Sequence, residues 1–518
     1  MKSDTELDSL LRVALDWEVD PMDPPASFGG WNTGRVVQQV FEGLFEDDLE
    51  NEEASPTKLI PALATSVDIS DDGLQYTFHL REDIQFHDGT SFNAEAVRYN
   101  IDRMWNPKAP HYSSVAADYN RIGLEVLDSM EILGQYTVRL TLKEPFPEFL
   151  RYMTQEDAPG AHVYISPEAL ERLGNSGIAD HAPGTGPFRF GERFQTPFGS
   201  GVRLQRNENY WGGAPKLKGI EFKPYPDLKD RYEALLTDNV DFAYGLEGSD
   251  LDELERRGFI VKECRVPYIW YFIFNMRDPV LRDTRVRHAI AHAVDRQELS
   301  NSVFRGDTAV ASGMLPPASP AFDDNYKFPY EYDPERARRL LKEAGVPSDW
   351  RLRIMTANAG SGQLIPVQIC DYLAKSLEAI GCGAEIVRTE DWVVYCNEWR
   401  SGLPDGAGVS QMSWGMSCDI WLDQVLHSRN CSPFGFNAGY YSNSEVDDLL
   451  DKARRTRNDD QRSQLYRRAN ALIMDDLPVL PMLTLRRGAV CYHPRVKGFR
   501  NPSQNWHSFK NVWIGTGT

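Results

Sequence analysis

The stretch of residues 59–103 constrains the fold more than any other part of the chain, because its spacing predicts a definite succession of elements. Apolar residues alternate with polar ones over 67–69 and 76–80, and the turn formers of 71–73 separate the two runs. This pattern predicts a two-stranded hairpin. Asn93 then stands at the position of a helix N-cap, before apolar residues that recur at spacings of four and three. The stretch therefore predicts strand, strand, turn and helix in this order.

The length and the charge limit the classes of protein to which the chain can belong. A chain of 518 residues is far longer than one hydrophobic core can serve, so at least two domains are expected. Its 76 acidic side chains against 56 basic ones give a net charge of −20. This balance argues against nucleic acid as a partner, since the binding of phosphates needs clustered Lys and Arg. An acidic surface mainly keeps a protein soluble and monomeric.

The sequence also bears on the relation of the protein to membranes. No run approaches the roughly 20 apolar residues that span a bilayer, and residues 1–10, MKSDTELDSL, lack the apolar core of a secretion signal. Two interpretations remain open. The chain is either a cytoplasmic protein or the mature part of an exported protein restarted at Met1.

Apolar runs and turn residues along the chain predict strands and helices in both halves. Residues 11–15 predict a strand, which a proline-containing loop and a helix over 35–44 follow, as at the start of an α/β domain. Residues 266–275 are apolar on both faces, which is typical of a strand buried inside a sheet. Segments near 264–268 and 478–484 are predicted to cross between two lobes and to form the hinge.

Two helical patterns in the second half carry clear end signals. Asp333 as N-cap, Pro334 at the first position and Gly345 after the last turn bound one of them. Another pattern runs over 444–475 and is predicted to break near Asn458.

Motifs of the common enzyme classes are missing from the sequence: there is no Gly-x-Ser-x-Gly elbow, no Gly-x-x-x-x-Gly-Lys loop and no His-Glu-x-x-His helix. Residues 184–186 are glycine-rich, but a strand-like run follows where a phosphate site needs a helix N-terminus, so a structural turn is predicted. His288 and His292 have a chelating spacing, but without a nearby carboxylate of the usual pattern they are interpreted as ordinary helix-face histidines. No catalytic residue, metal site or cofactor is predicted.

Several segments resemble the peptide and nickel class of extracellular solute-binding proteins, the receptors that deliver ligand to ABC importers. They follow in the order of that family: residues 59–103, GTGPFRF at 184–190, RNENYWGGAPKLKGIEF at 206–222, FNMRDPVLRDTRVRHAIAHAVDRQEL at 274–299 and LPVLPM at 477–482. The resemblance extends over nearly the whole chain. It implies a two-lobed, periplasmic-binding-protein-like α/β fold with an inserted domain. It also implies a periplasmic or extracellular, membrane-associated location.

The resemblance further implies three domains with a hinge between the lobes. Domain I would be discontinuous, formed by residues 1–45, 183–264 and 485–518. Domain II would be inserted at 46–182, and domain III would comprise 265–484. A ligand that contacts both jaws only when they are shut would shift the population toward the closed form, which the permease recognises.

The loop of residues 411–421, QMSWGMSCDIW, is the first candidate for ligand contact, since it combines small residues, aromatic faces and a carboxylate. In peptide-binding relatives, the matching loop begins with Trp and carries an Asp three residues later, which binds the α-amino group of the ligand. Trp414 matches, but Ser417 stands at the third position and Asp419 comes two residues later. Because a buried ammonium without a counter-ion is costly, either Asp419 is displaced into that role or the ligand is not a peptide. Core packing is the alternative role of Trp414.

Further candidates for ligand contact lie in loops at predicted strand ends, where α/β folds gather ligand groups. They are Trp17, Glu18, Trp31 and Asn358. Arg400 is added because its guanidinium can bind a carboxylate bidentately. An ordinary packing or solvated role is the alternative for each of them.

The seven cysteines cannot all pair within the chain. Cys418 and Cys431 bracket a polar, loop-like segment, and peptide-binding relatives carry a similar close bridge there. The resemblance therefore predicts a disulfide between these two residues. Free or buried thiols are the alternative.

Together these features predict a receptor that captures a small hydrophilic solute and delivers it to an ABC permease, with no bond made or broken. Peptides and oligosaccharides both remain open as ligands, because the family includes receptors for each, and 12 Trp and 22 Tyr suit either. A monomer is expected. Two other classes stay open: a secreted hydrolase whose carboxylates cannot be paired from sequence, and a ligand-sensing receptor coupled to a membrane signalling protein.

Overall fold

The computed structural model describes most of the chain. The described residues are 9–26, 30–54, 57–154, 162–181, 183–246, 249–264, 266–304, 308–360, 362–363, 365–415, 419–485, 488–503 and 506–515. Contacts within the chain divide it into two compact units, of which unit 1 comprises Met1–Cys264 and Gly488–Thr518, and unit 2 comprises Arg265–Arg487. Unit 2 begins where domain III is predicted to begin and ends three residues later than predicted. The division of unit 1 into domains I and II stays a prediction.

The strands are numbered in chain order. They are β1 (Leu10–Leu15), β2 (Phe45–Asp47), β3 (Leu59–Pro61), β4 (Ala64–Ile69), β5 (Gln75–Leu80), β6 (Leu127–Gly134), β7 (Thr137–Leu142), β8 (Phe188–Thr196), β9 (Gly199–Arg206), β10 (Gly219–Pro224), β11 (Phe242–Tyr244), β12 (Ile260–Cys264), β13 (Tyr268–Phe274), β14 (Thr308–Val310), β15 (Arg351–Ala357), β16 (Gly383–Thr389), β17 (Val409–Gly415), β18 (Val479–Leu485), β19 (Gly488–Tyr492), β20 (Val496–Lys497) and β21 (Trp513–Ile514).

The α-helices are numbered in the same way. They are α1 (Trp31–Val40), α2 (Ala94–Trp105), α3 (Ser114–Leu124), α4 (Phe149–Tyr152), α5 (Pro167–Gly177), α6 (Leu228–Leu236), α7 (Ser249–Arg256), α8 (Thr284–Ala293), α9 (Arg296–Val303), α10 (Pro334–Glu343), α11 (Pro366–Ala379), α12 (Trp392–Arg400), α13 (Trp421–Leu426), α14 (Ser444–Arg455) and α15 (Asp459–Asp476). Within the described ranges, none of these helices is long and apolar enough to cross a membrane.

A large sheet of unit 1 has the strand order β12-β19-β11-β1-β10-β9-β8. β1 pairs in parallel with both β10 and β11, so it occupies the middle of the sheet. Its alternate residues Leu11, Val13 and Leu15 are buried in the same core as the apolar face of α1. The loop that carries Trp17 and Glu18 therefore leaves the sheet at the carboxyl end of a central strand.

The hairpin predicted within residues 59–103 is confirmed. β4 and β5 pair antiparallel, with Val67 opposite Phe78, in a second sheet of unit 1 with the order β4-β5-β7-β6. The Asn93 side chain caps α2 by accepting a hydrogen bond from the Ala96 N–H at 3.0 Å.

The helix predicted over residues 35–44 is misplaced. α1 begins at Trp31 and ends at Val40, because Phe41 already has extended dihedrals, φ −121° and ψ 158°. Gly43 lies against backbone oxygen atoms, so that a Cβ there would be 2.8 Å from the Phe45 carbonyl oxygen. The backbone at Gly43 therefore passes close to the Phe45 carbonyl, an arrangement that is incompatible with continuing the helix to Leu44.

The sheet of unit 2 has the order β14-β18-β13-β17-β15-β16. β13 is the predicted strand with two apolar faces, and it pairs antiparallel with β17 and with β18. Residues 478–484, predicted to cross between lobes, lie mostly in β18, which is buried beside β13. The apolar run LPVLPM thus contributes to an interior strand of unit 2, and the chain passes to unit 1 shortly after it, between residues 487 and 488. A hinge near this segment stays a prediction.

The end signals of the helices in unit 2 are confirmed. Asp333 caps α10 by accepting from the Arg336 N–H at 2.8 Å, and Gly345 beyond the helix has a φ of +69°. The break predicted near Asn458 is present, since this residue is the N-cap of α15. α13 and α14 follow β17 in the chain and carry part of the candidate site.

Candidate functional site

Trp414 lies in a group of aromatic side chains in unit 2, called here the aromatic cluster: Trp399, Trp414, Trp421 and Phe436. β17 supplies Trp414, α12 supplies Trp399 and α13 begins with Trp421. The ring centroid of Trp414 is 5.4 Å from that of Trp399, 5.1 Å from that of Trp421 and 5.2 Å from that of Phe436. Only 6% of Trp414 is exposed, so the structure gives it a packing role, and its contact with ligand stays a prediction.

Asp419 is buried immediately before α13, with 3% of the residue exposed. Its Oδ1 accepts hydrogen bonds from the Ser319 hydroxyl and, at 3.3 Å, from the Ala321 N–H. Burial raises the pKa of this carboxyl to about 6. The carboxylate therefore ties the start of α13 to residues 319–321, and ligand contact by Asp419 stays a prediction that its burial does not favour.

We expect Asp419→Asn to flatten the pH dependence of stability. The folded-state pKa of about 6 lies above the unfolded value of 3.8, so this group's contribution is fully present below pH 3.8 and is lost as pH rises through 6. The difference corresponds to about 3 kcal/mol at most. Urea denaturation from pH 4 to 7 should show a smaller fall in the free energy of unfolding for the variant. Asp448→Asn, at an exposed site of α14, is the control, and parallel curves for wild type and Asp419→Asn would contradict the expectation.

Arg400 and Asn358 occupy other parts of unit 2. Arg400 ends α12, half-buried, and its guanidinium carbon lies 5.9 Å from the ring centroid of Phe436, so the structure brings it to the edge of the aromatic cluster. Asn358 is exposed just beyond β15, and its N–H donates to the Thr389 carbonyl at 3.0 Å. Asn358 thus lies at a strand end, and its contact with ligand stays a prediction.

Trp17, Glu18 and Trp31 lie in unit 1. The Trp17 carbonyl accepts from the Asn32 side chain at 3.2 Å, which brings this loop to the first turn of α1, where Trp31 is buried. The Arg35 guanidinium carbon stands 4.7 Å from the ring centroid of Trp31. Glu18 is exposed, but its Oε1 accepts from the Ser200 N–H at 2.9 Å. Glu18 therefore supports the turn between β8 and β9, and the loop of Trp17 lies against the first turn of α1 through Asn32.

Two residues of the predicted ligand loop, Ser417 and Cys418, lie outside the described residues. Cys431, the predicted partner of Cys418, has no disulfide partner among the described residues, and its Sγ is 3.7 Å from the Tyr441 carbonyl oxygen. Because Cys418 is not described, the pairing stays a prediction.

A buried carboxylate that sequence reasoning missed explains two of the family-like segments. Glu42 accepts hydrogen bonds from the Thr185 hydroxyl at 2.7 Å, from the Tyr210 hydroxyl at 2.8 Å and from the Trp211 indole N–H at 3.1 Å. Burial, followed by the neighbouring Glu46, raises the pKa of Glu42 to about 7. The segments GTGPFRF and RNENYWGG are thus joined through one side chain in unit 1, and residues 184–187 lead into the strand β8 and not into a helix N-terminus.

One group of three metal-ligating side chains occurs among the described residues: Asp423, His427 and Asp451, whose ligand atoms lie within 4.8 Å of one another. The Arg429 guanidinium donates to the carboxylates of both Asp423 and Asp451. Since these carboxylates already face a cation of the protein, we interpret the group as an ion-pair network that joins α13 to α14.

The two helix-face histidines of α8 also have protein partners. A ring nitrogen of His288 lies 2.8 Å from the Asp475 carbonyl oxygen, and one of His292 lies 2.6 Å from the Glu331 carbonyl oxygen. Each ring thus fixes a backbone segment of unit 2.

Comparison with known proteins assigns the chain to a family. The family model described as bacterial extracellular solute-binding proteins, family 5 Middle, matches residues 58–431. The chain belongs to this family. This family 5 protein is similar to the glutathione-binding protein GsiB of Escherichia coli strain K12, with 32% identity over 456 residues that cover 86% of this chain and 84% of the relative.

Solved structures of similar proteins confirm the predicted fold. DppA from Helicobacter pylori, an ABC transporter-associated periplasmic binding protein in complex with the peptide STSA, matches with a TM-score of 0.86 and 25% identity over 99% of both chains. NikZ from Campylobacter jejuni, in complex with Ni(L-His), matches with a TM-score of 0.79 and 25% identity over 98% of this chain and 99% of NikZ. Since similar structures hold ligands of such different chemistry, the fold alone does not identify the solute of this family 5 protein.

Proposed function

We propose that this solute-binding protein captures a peptide-like solute, of the size of glutathione or a short peptide, and presents it to an ABC permease. The observation that carries the proposal is the 32% identity with GsiB, a glutathione-binding protein, over 86% of the chain. DppA, solved with the peptide STSA, supports the same ligand class. Hinge closure on the solute, which the family resemblance implies, is part of the proposal.

The relatives also favour one of the two open ligand classes and one location. GsiB is named for glutathione and DppA is solved with the peptide STSA, which favours peptides over oligosaccharides. DppA is described as periplasmic, which supports action outside the inner membrane. Neither name describes an enzyme, so capture without chemical conversion is preferred to hydrolysis.

Titration calorimetry with reduced glutathione, the dipeptide Met-Leu, the tetrapeptide Ser-Thr-Ser-Ala and maltotriose tests the proposal. We expect at least one of the peptide-like probes to bind and maltotriose not to bind. At about a hundred times its dissociation constant, the bound probe should raise the free energy of unfolding by about 2.7 kcal/mol.

Mass spectrometry of the recovered probe completes this test. Binding confined to maltotriose would overturn the peptide-like ligand class. Recovery of cleaved glutathione or peptide would overturn capture in favour of hydrolysis.

A further inference from the structure

Several hydrogen-bonding atoms around the aromatic cluster are buried and have no partner in the part of the chain that the structure describes. They are the indole N–H groups of Trp399 and Trp421, the hydroxyl of Tyr271 and both side-chain amide atoms of Gln424. Trp399 and Gln424 have no exposed surface at all, and Tyr271 is 1% exposed. We call these four side chains the donor face.

The members of the donor face lie on one side of the sheet of unit 2. Tyr271 of β13 is opposite Met412 of β17, and Met412 points to the same face as Trp414 two residues further on. The rings of Trp399 and Trp421 flank Trp414 at the distances given above. Gln424 follows Trp421 by three residues in α13, so the two side chains are neighbours on that helix.

The chemistry of these groups is unbalanced toward donation. An indole N–H only donates, a primary amide nitrogen carries two donors, and a phenol donates as well as accepts. The amide oxygen of Gln424 and the hydroxyl oxygen of Tyr271 are the only acceptors of the set. Because a buried donor without an acceptor costs free energy, the group that complements the donor face is rich in acceptors.

We propose that the donor face is a subsite that takes a hydrogen-bond acceptor of the solute, a carboxylate or an amide carbonyl. The inference rests on the proposed function and specifies which chemical group of a peptide-like solute lies beside Trp414. It reverses the polarity expected from the sequence, in which Asp419 would accept from an ammonium group. The Asp419 carboxylate is already engaged by Ser319 and Ala321, whereas the donors of α12 and α13 are not.

Ordered water could satisfy the same donors, and substitutions that remove single donors separate the two cases. Gln424→Met and Tyr271→Phe keep the bulk of each side chain and delete its polar atoms, and Trp399→Phe deletes the indole N–H together with part of the ring. Trp392→Phe is the matched control, because Trp392 is also a buried tryptophan of α12 but packs on Tyr395 instead of the aromatic cluster.

The experiment measures the dissociation constant for reduced glutathione and the melting temperature of the unliganded protein. We expect Trp399→Phe and Gln424→Met each to weaken binding about tenfold. The melting temperature should be equal to or above that of wild type for Gln424→Met and lower for Trp399→Phe, because the smaller ring leaves a cavity in the cluster. The control should match wild type within twofold. Unchanged affinity in all three variants, whatever their stability, would overturn the subsite and assign the donors to water or to packing.

A second probe identifies the acceptor. Glutathione whose glycyl carboxylate is esterified should bind wild type more weakly than glutathione if that carboxylate faces the donors, and this difference should shrink in Gln424→Met. If Gln424→Met binds glutathione more weakly but discriminates against the ester as strongly as wild type does, the group that faces the donors is an amide carbonyl. If wild type prefers Met-Leu or Ser-Thr-Ser-Ala, that peptide and its carboxyl ester replace the glutathione pair. If wild type binds none of these probes, the proposed function fails, and the subsite fails with it.

Discussion

Arg429→Met is expected to lower the free energy of unfolding by about 3 to 5 kcal/mol, because it leaves a buried carboxylate without its cation. The side chain of Asp423, one of the two ion-pair partners of Arg429, has no exposed surface, and that of Asp451 is 35% exposed. Methionine retains much of the volume of arginine, so the loss reports on charge more than on packing. Urea denaturation at pH 7 measures the effect.

Two further variants make this expectation specific. Arg468→Met removes an ion pair with Glu445 in which both side chains are more than half exposed, and it should cost less than about 1 kcal/mol. Adding Asp423→Asn to Arg429→Met removes the orphaned charge and should restore part of the loss. A loss below about 1 kcal/mol in Arg429→Met itself would show that the network does not hold α13.

This network bears on function through α13. Asp423 is a residue of that helix, and Asp451 belongs to α14, so Arg429 joins the two helices. Trp421 and Gln424 of the donor face lie on the same short helix. Arg429 is therefore a positioning residue for the proposed subsite and need not contact the solute.

The parts of the fold that could be predicted are those whose signals are local. The hairpin of β4 and β5 follows from alternation and a turn, and the start of α2 follows from Asn93 as N-cap. The break between α14 and α15 likewise follows from Asn458. In each case, the deciding contact joins residues close together in sequence, so spacing alone carries the information.

The surroundings of the site residues could not be predicted in this way. Asp419 is held by Ser319, 100 residues away, and Glu42 by Thr185, 143 residues away. Alternation and motif spacing describe residues close together in sequence and cannot predict contacts between residues so far apart. The place of β18 inside a sheet could not be predicted for a related reason, since an apolar run looks the same whether it crosses between units or lies inside one sheet.

The aromatic cluster contains both a residue that the sequence singles out and contacts that it does not predict. The sequence singles out Trp414 as a candidate for ligand contact or core packing, and the structure places it one residue before the end of β17. Its contact with Trp399, with Phe436 beside them, joins segments that no sequence pattern connects. Trp421 and Gln424 are three residues apart, a spacing that makes side chains neighbours on a helix. This spacing is informative only once α13 is known to include both residues.

Trp414→Ala is expected to lower the free energy of unfolding by about 3 to 5 kcal/mol, because it removes a large ring from between three others. If Trp414 only contacted ligand, Trp414→Ala would lose binding and keep its fold. Because only 6% of Trp414 is exposed, we expect a loss of stability as well. Trp414→Phe keeps a ring in the cluster and should lose less than half as much stability. Tyr332→Ala, at an exposed aromatic residue, should stay within about 0.5 kcal/mol of wild type.

Binding then separates the two roles of Trp414. If its exposed edge contacts the solute, Trp414→Phe should weaken the affinity for reduced glutathione although most of the stability remains, because the smaller ring withdraws from that edge. If the ring only holds Trp399 and Trp421 in place, the affinity should fall in Trp414→Ala and stay near wild type in Trp414→Phe. Calorimetry and urea denaturation on the same preparations decide between these cases. A Trp414→Ala protein within about 1 kcal/mol of wild type would instead show that the ring is not packed as the structure has it.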